Sequence, residues 1–434
     1  MRRNLRILVL ASLGFVAAGF ARAPHGANLG KGLARLPFSF VQGEKAAATN
    51  PSARLPFGFA PFDFAQGKQG KKAAATNPSA QSAAQNAEQE VMAKLEPHEG
   101  DYVVHDFHFA DGEAMQDLRL HYTTLGEPKR DASGRVTNAV LILHGTGGSG
   151  RGFLRPVFAG ELFGPGQLLD AATHYIILPD DIGHGKSSKP SAAGKPSDGL
   201  RMKFPRYDYS DMVRGEYDLV TEGLHVNHLR LVMGTSMGCM HTWIWGEAHP
   251  DFVDAMMPLA CLPVEIAGRN RMTRKMIMDS IKDDPAWDGG NYTSEPVNGL
   301  RAALDVELLM VSSPLQWQKE NPTATQADAF LENWLANSIA NDDANDLLYA
   351  FDASRTYNPD PELGKIEAYV MHVNSADDFV NPPELGIAER EIQKVAHGKF
   401  VLLPITDQTR GHGTHTLAAV WKGCLEELLK ESER

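Results

Sequence analysis

The stretch LRLVMGTSMGCM, residues 229–240, decides the fold. A short apolar run breaks into Gly234-Thr235-Ser236-Met237-Gly238 and continues at once into an amphipathic helical pattern. Strand, G-x-S-x-G and helix in immediate succession predict a nucleophile elbow, a sharp turn that pushes the central serine hydroxyl into a cleft. The two glycines lack Cβ atoms, so strand and helix can close tightly around the turn. Ser236 is the candidate nucleophile.

The sequence around the elbow carries the rhythm that such a turn needs. AVLILHG (139–145), HYIILPD (174–180), AMMPLA (255–260), AYVMHVN (368–374) and KFVLLPI (399–405) are continuous apolar runs, as strands buried on both faces should be. Helical stretches separate most of them. Ahead of these, DYVVHDFHF (101–109) and DLRLHYTTLG (117–126) alternate apolar and polar residues and predict two antiparallel strands joined by a turn. The reading is an α/β fold: a mostly parallel sheet flanked by helices, with its site at the carboxyl ends of the strands. The interval from about 264 to 364 interrupts the alternation with helical, Met- and Trp-containing sequence and predicts a cap over that site.

Domain organisation follows from composition. The 434 residues, 43% of them hydrophobic, can bury a large core, and a net charge of −12 argues against a nucleic-acid partner. MRRNLR followed by ILVLASLGFVAAGF reads as a secretory signal over 1–23, too short to span a membrane, so the expectation is an exported protein without an integral membrane domain. Residues 24–96 repeat ARLPFSF as ARLPFGF and KAAATNPSA twice, with few β-branched residues, and predict a disordered low-complexity spacer. The domain proper then runs over 97–434. Three cysteines allow at most one bridge and none has metal-ligand spacing; Cys239, in the first turn after Ser236, reads as a small core packer.

A serine nucleophile needs a base, and the base needs an orienting acid, both at the ends of later strands. After AYVMHVN comes Ser375-Ala376-Asp377-Asp378, where Asp378 is the candidate acid and Asp377 the competitor; both could instead cap a helix starting near Pro382. After KFVLLPI comes Arg410-Gly411-His412-Gly413-Thr414-His415, where glycine-flanked His412 is the candidate base and His415 the competitor. No carboxylate stands at ligand spacing beside the two histidines, so no metal is expected. Two backbone N–H groups should form the oxyanion hole: that of Met237, and that of Thr146 in the loop His144-Gly145-Thr146-Gly147-Gly148. That loop also fits G-x-G-x-x-G, but antiparallel strands precede it and Asp180-Asp181-Ile182-Gly183 after the next run is a turn rather than a ribose clamp. No cofactor is expected.

The segment FPRYDYSDMVRGEYDLVTEGLHVNHLRLVMGTSMGCMHTWIWGEAHPDFV (204–253), with RMTRKMIMDSIKDDPAWDGGNY (271–292), resembles the homoserine O-acetyltransferase family of the α/β-hydrolase superfamily. The resemblance runs from about Asp101 to the C-terminus. It implies an α/β-hydrolase fold, a Ser-Asp-His set at Ser236, Asp378 and His412, a serine that carries acetyl from acetyl-CoA to the homoserine hydroxyl, and a possible homodimer. The chain departs from the family pattern in places. Its elbow is GTSMGC rather than GGSMGG. Gly413 stands where homoserine-binding members follow the histidine with an Asp, and Leu304 and Val311 fall where they place an Arg and a Tyr.

These departures, with the export expectation, favour an exported ester hydrolase that works on a small-molecule acyl ester through an acyl-serine. The alternatives are an acyl-CoA:alcohol O-acyltransferase and a non-catalytic binding protein on the same fold.

Overall fold

The computed structural model describes residues 95–192 and 199–433. The expected signal (1–23) and nearly all of the expected spacer (24–96) therefore lie outside the described residues. Among those described, no helix is long and apolar enough to cross a membrane.

Eight strands form one sheet in the order β1-β2-β4-β3-β5-β6-β7-β8. The strands are β1 (His98–His108), β2 (Ala114–Leu125), β3 (Ala139–Leu143), β4 (Tyr175–Pro179), β5 (Leu229–Thr235), β6 (Val253–Leu259), β7 (Tyr369–Ser375) and β8 (Gly398–Leu403). β1 pairs antiparallel with β2, and β2 antiparallel with β4; from β4 to β8 every pairing is parallel. The continuous apolar runs are explained by two-sided burial. In β3, Leu141 and Leu143 enter one core while Val140 and Ile142 enter the other, and all of them are fully buried. Each such side chain contributes on the order of 1.5–3 kcal/mol by leaving water.

Ten α-helices are described. On one face lie α1 (Ala159–Leu162) and α10 (Ala418–Glu431), whose Leu162, Trp421 and Leu425 pack with Val140 and Ile142. On the other lie α2 (Tyr209–Asp218) and α3 (Met237–Ala248). α3 follows the elbow directly, but it is buried on most of its surface, Trp243 and Trp245 completely, rather than amphipathic as its sequence suggested. A helix packed between the sheet and α2 has little solvent-facing side to make polar.

α2 begins with a reciprocal capping box: Asp208 accepts the Asp211 N–H at 3.1 Å, and Asp211 accepts the Asp208 N–H at 3.1 Å. Asp211 also accepts the Ala110 N–H at 2.8 Å, so the Asp of the DMV motif ties the β1–β2 turn to this helix.

Between β6 and β7 the chain runs through α4 (Gly268–Lys282), α5 (Val297–Met310), α6 (Pro314–Glu320), α7 (Ala324–Asn341) and α8 (Ala344–Asp352). α9 (Ile387–Glu391) follows β7. Cys239 is more than the packing residue its sequence context suggested, for it is disulfide-bonded to Cys261, with Cα atoms 5.8 Å apart. Adjacent parallel strands β5 and β6 end side by side, which brings the first turn of α3 against the chain leaving β6.

Candidate active site

The elbow is a backbone device before it is a chemical one. Ser236 has φ 54° and ψ −106°, a left-handed conformation costly for a residue with a Cβ and concentrated at functional turns. A Cβ on Gly234 would overlap the Gly238 carbonyl, and one on Gly238 would overlap the Leu143 carbonyl. The turn is closed by Ser236 N–H to Leu259 O at 2.9 Å and Gly238 N–H to His144 O at 2.9 Å. The nucleophile candidate is thus pinned between the ends of β3, β5 and β6.

The structure brings three of the sequence candidates into line. His412 Nε2 lies 2.8 Å from Ser236 Oγ, and His412 Nδ1 lies 3.1 Å from each carboxylate oxygen of Asp378. Asp378 is buried, and it also accepts N–H groups from Val380 at 2.8 Å and Asn381 at 3.2 Å and the Asn381 side-chain amide at 3.1 Å. Burial by itself would raise its pKa, yet the His412 charge and the hydrogen bonds from His412 and Asn381 hold it below the usual aspartate value. The capping alternative describes part of what Asp378 does, since one carboxylate serves the turn and the imidazole together.

The competitors have other partners. Asp377 accepts the Gly411 N–H at 3.0 Å and is hydrogen bonded with the Ser375 hydroxyl, so it fastens the histidine loop to the acid loop. The His415 ring packs edge-on against His412 with centroids 5.1 Å apart, and burial lowers its pKa to about 3. It braces the ring that faces Ser236.

Met237 is the first residue of α3, so its N–H is among those a helix leaves without an intrahelical acceptor. Thr146 lies in a turn closed by Gly148 N–H to Gly145 O at 2.9 Å, and Gly145 packs against Ser236. Met237 thus follows the serine directly, and Thr146 follows the glycine that packs against it. The helical insertion reaches the same rim: Arg269 of α4 stacks 3.8 Å above the Phe379 ring, and Gln316 of α6 donates to Asp407 O at 2.8 Å.

The residues at the departures from the family pattern are apolar or already engaged. Leu304 is fully buried, Val311 is half-buried, Gly413 is buried, and Arg301 pairs with Glu332 at 3.0 Å.

One cluster beneath the oxyanion loop escaped the sequence reading. Asp181, Glu216 and His241 are all buried and bring one ligand-capable atom each within 4.8 Å of one another. Glu216 had a legible signal: it stands four residues after Met212 and four before Val220, on the buried stripe of α2.

An alpha/beta hydrolase fold family model matches residues 138–383. The homoserine O-acetyltransferase of Moorella thermoacetica is 32% identical over 228 residues, 48% of this chain and 58% of that protein. That of Pelobacter propionicus is 28% identical over 339 residues, 70% of this chain and 88% of that protein. The match spans about half the length of the first curated relatives. Among solved structures, esterase E22 superposes with a TM-score of 0.68 at 19% identity, covering 77% of this chain and all of that one. Homoserine O-acetyltransferase from Bacillus anthracis gives 0.66 at 18%, covering 77% and 97%.

These relatives correct the expectation of export. They are named homoserine O-acetyltransferases, and the acetyl-CoA that the resemblance implies as donor belongs to the cytosol. The basic-then-apolar order of 1–23 carried that expectation alone, and those residues lie outside the described ones. The model match covers more than half of the 434 residues and the parallel sheet has the expected elbow, so the chain belongs to the alpha/beta hydrolase fold family and resembles its homoserine O-acetyltransferases.

Proposed function

We propose that the protein is a serine O-acyltransferase that moves an acyl group through Ser236 onto an alcohol. The observation that carries this reading is the line Ser236 Oγ–His412–Asp378, at 2.8 and 3.1 Å, in a chain related to homoserine O-acetyltransferases. His412 Nε2 takes the Ser236 proton as Oγ attacks the acyl carbonyl, and the N–H groups of Thr146 and Met237 receive the developing oxyanion. The proton passes to the departing thiol or alcohol, which leaves an acyl-serine. An incoming alcohol, deprotonated by the same imidazole, then releases the acyl group as a new ester. Asp378 keeps the Nδ1–H tautomer and balances the imidazolium.

The acceptor is an alcohol without the charges of a free amino acid. Leu304, Val311 and Gly413 offer no ionic partner, and Arg301 is committed to Glu332. An ammonium or carboxylate taken from water into such a setting would lose solvation with no partner to offset it. The same observation favours a second reading, in which water resolves the acyl-serine and the enzyme is an ester hydrolase.

Acyl partitioning separates the two. Purified enzyme is given p-nitrophenyl acetate or acetyl-CoA with homoserine, a set of neutral alcohols, or no acceptor, and both ester and free acetate are measured. Transfer predicts that neutral alcohols divert acetate into ester, with homoserine no better than they are. Free acetate alone, at a rate blind to every alcohol, would establish the hydrolase reading. Unchanged activity in Ser236→Ala would refute both.

A further inference from the structure

We propose that the Asp181 carboxyl is a positioning group of the acyl-transfer site: by sharing a proton with Glu216 it keeps His144 neutral and bonded to the Gly145 carbonyl, and so fixes the turn that carries Thr146. The inference rests on the acyl-transfer reading above.

Three elements meet at this carboxyl: the loop after β4, helix α2 and helix α3. Glu216 has the donors that a carboxylate needs, His241 Nδ1 at 2.7 Å on one oxygen and Trp245 Nε1 at 2.6 Å on the other. Asp181 has none, for both its oxygens are buried without a donor. Two anions this close in a dry interior would repel strongly, and the single negative charge settles where the donors are. Burial raises the Asp181 pKa well above its ordinary value and the Glu216 charge adds to it; burial would also raise Glu216, but the His241 charge and the hydrogen bonds with His241, Asp181 and Trp245 together outweigh that and hold it low. The proton therefore resides on Asp181 and is shared with Glu216.

The consequence passes to His144. Its Nδ1 lies 2.8 Å from Gly145 O, so Nδ1 carries the hydrogen, while Nε2 accepts the Asp181 N–H at 3.2 Å. Asp181 Oδ2 stands 3.4 Å from that same Nε2. An ionised Asp181 would draw a second proton onto the ring; a neutral one leaves Nε2 a lone pair, consistent with burial lowering the His144 pKa to about 4. Neutral His144 holds Gly145 O jointly with the Gly148 N–H, and the His144 carbonyl accepts Gly238 N–H from the elbow. One residue thus joins the oxyanion turn, through its ring, to the nucleophile turn, through its main-chain carbonyl. The other titratable groups around Asp181 and the two rings are Asp180 and His184 on the same loop, Tyr207 just before α2 and Tyr209 on α2. Asp180 is held by the N–H groups of Gly150 and Lys186, and Tyr209 lies edge-on to His241.

The test compares Asp181→Ala with Asp181→Asn, whose amide N–H can stand in for the carboxyl O–H. The expected result is a loss in kcat of tenfold or more in Asp181→Ala at nearly unchanged KM, with fluorophosphonate labelling of Ser236 slowed in proportion, and recovery of most of that loss in Asp181→Asn. Wild-type kcat should also decline at alkaline pH as Asp181 ionises, and Asp181→Asn should lack that decline. If Asp181→Ala does not fold, the pH profile and labelling rate of Asp181→Asn decide the matter alone. A profile identical to wild type, Asp181→Asn falling as far as a folded Asp181→Ala, or a stoichiometric divalent metal in the purified protein would overturn the proposal. Ser236→Ala serves as the separate control: if it keeps activity, the acyl-transfer reading itself has failed.

Discussion

Replacing Asp378 by Asn is the most discriminating single change at the proposed site. The amide oxygen has one place to go: Oδ1 accepts the Val380 and Asn381 N–H groups at 2.8 and 3.2 Å, so the amide nitrogen must take the Oδ2 position. There it faces His412 Nδ1 at 3.1 Å and the Asn381 amide nitrogen at 3.1 Å, donor against donor, and leaves Nδ1 only Oδ1, also at 3.1 Å but already taken by two N–H groups. The imidazole escapes by moving its hydrogen to Nε2, the atom 2.8 Å from Ser236 Oγ, and can then no longer take the serine proton. A wrong tautomer in an otherwise intact site costs roughly 10⁴ in kcat, about 5 kcal/mol of barrier. Asp377→Asn loses charge from its bonds to the Gly411 N–H and the Ser375 hydroxyl and leaves the imidazole alone, so less than a tenfold loss is expected. Initial rates on a short p-nitrophenyl ester, with melting curves to verify folding, measure both. Equal losses in the two variants, or Asp378→Asn keeping more than about a hundredth of kcat, would refute the assignment of the acid.

Other expectations follow from packing and charge. Gly238→Ala drives a methyl into the Leu143 carbonyl, so stability should fall by about 1–3 kcal/mol and kcat with it; unchanged melting and rate would contradict the tight elbow. Reducing Cys239–Cys261 frees a loop of sequence separation 22, worth about 3 kcal/mol in chain entropy, and identical denaturation midpoints with and without reductant would count against that contribution. Burial pushes Glu307 up to about 8, so the folded protein keeps a proton that the unfolded chain releases near 4.5. Its favourable contribution is complete below pH 4.5 and drains away as pH rises to 8. Glu307→Gln should therefore match wild type near pH 4.5 and melt higher at pH 8.5, by an amount corresponding to a few kcal/mol; a constant gap would show that Glu307 is ionised in the folded protein.

The sheet was legible because two-sided burial writes itself as uninterrupted apolar runs: Val140 to Leu143 and Leu231 to Met233 could sit nowhere but in a core. The meeting of Ser236, Asp378 and His412 was legible because each follows such a run, at a strand end, where the fold collects reactive groups. Asp377 against Asp378 was not, since neighbouring residues on a loop point different ways and only the three-dimensional course of the chain selects one. Nor was the Asp181 cluster, whose members lie 35 and 25 residues apart in sequence and meet only when β4, α2 and α3 pack. The Cys239–Cys261 pairing was hidden for the same reason. The export expectation failed differently: it rested on the composition of residues 1–23 alone, which lie outside the described residues.

The reactive centre and the choice of substrate draw on different parts of the chain. Ser236, the two proposed N–H donors, Asp378 and His412 all project from strand ends or the turns just beyond them, so their geometry is set by sheet hydrogen bonds such as Ser236 N–H to Leu259 O. The helical insertion adds none of these atoms and reaches the rim through Arg269 on Phe379 and Gln316 on Asp407. A sheet constrained by main-chain pairing tolerates little change around the elbow, whereas Leu304 stands on α5 of the insertion, away from the strand ends that carry the serine. On the proposed reading, that division accounts for a chain which carries an acyl-transfer constellation without charges to hold an amino acid. The acceptor should therefore be sought by altering the insertion, since changes at the strand ends would alter the rate for every acceptor alike.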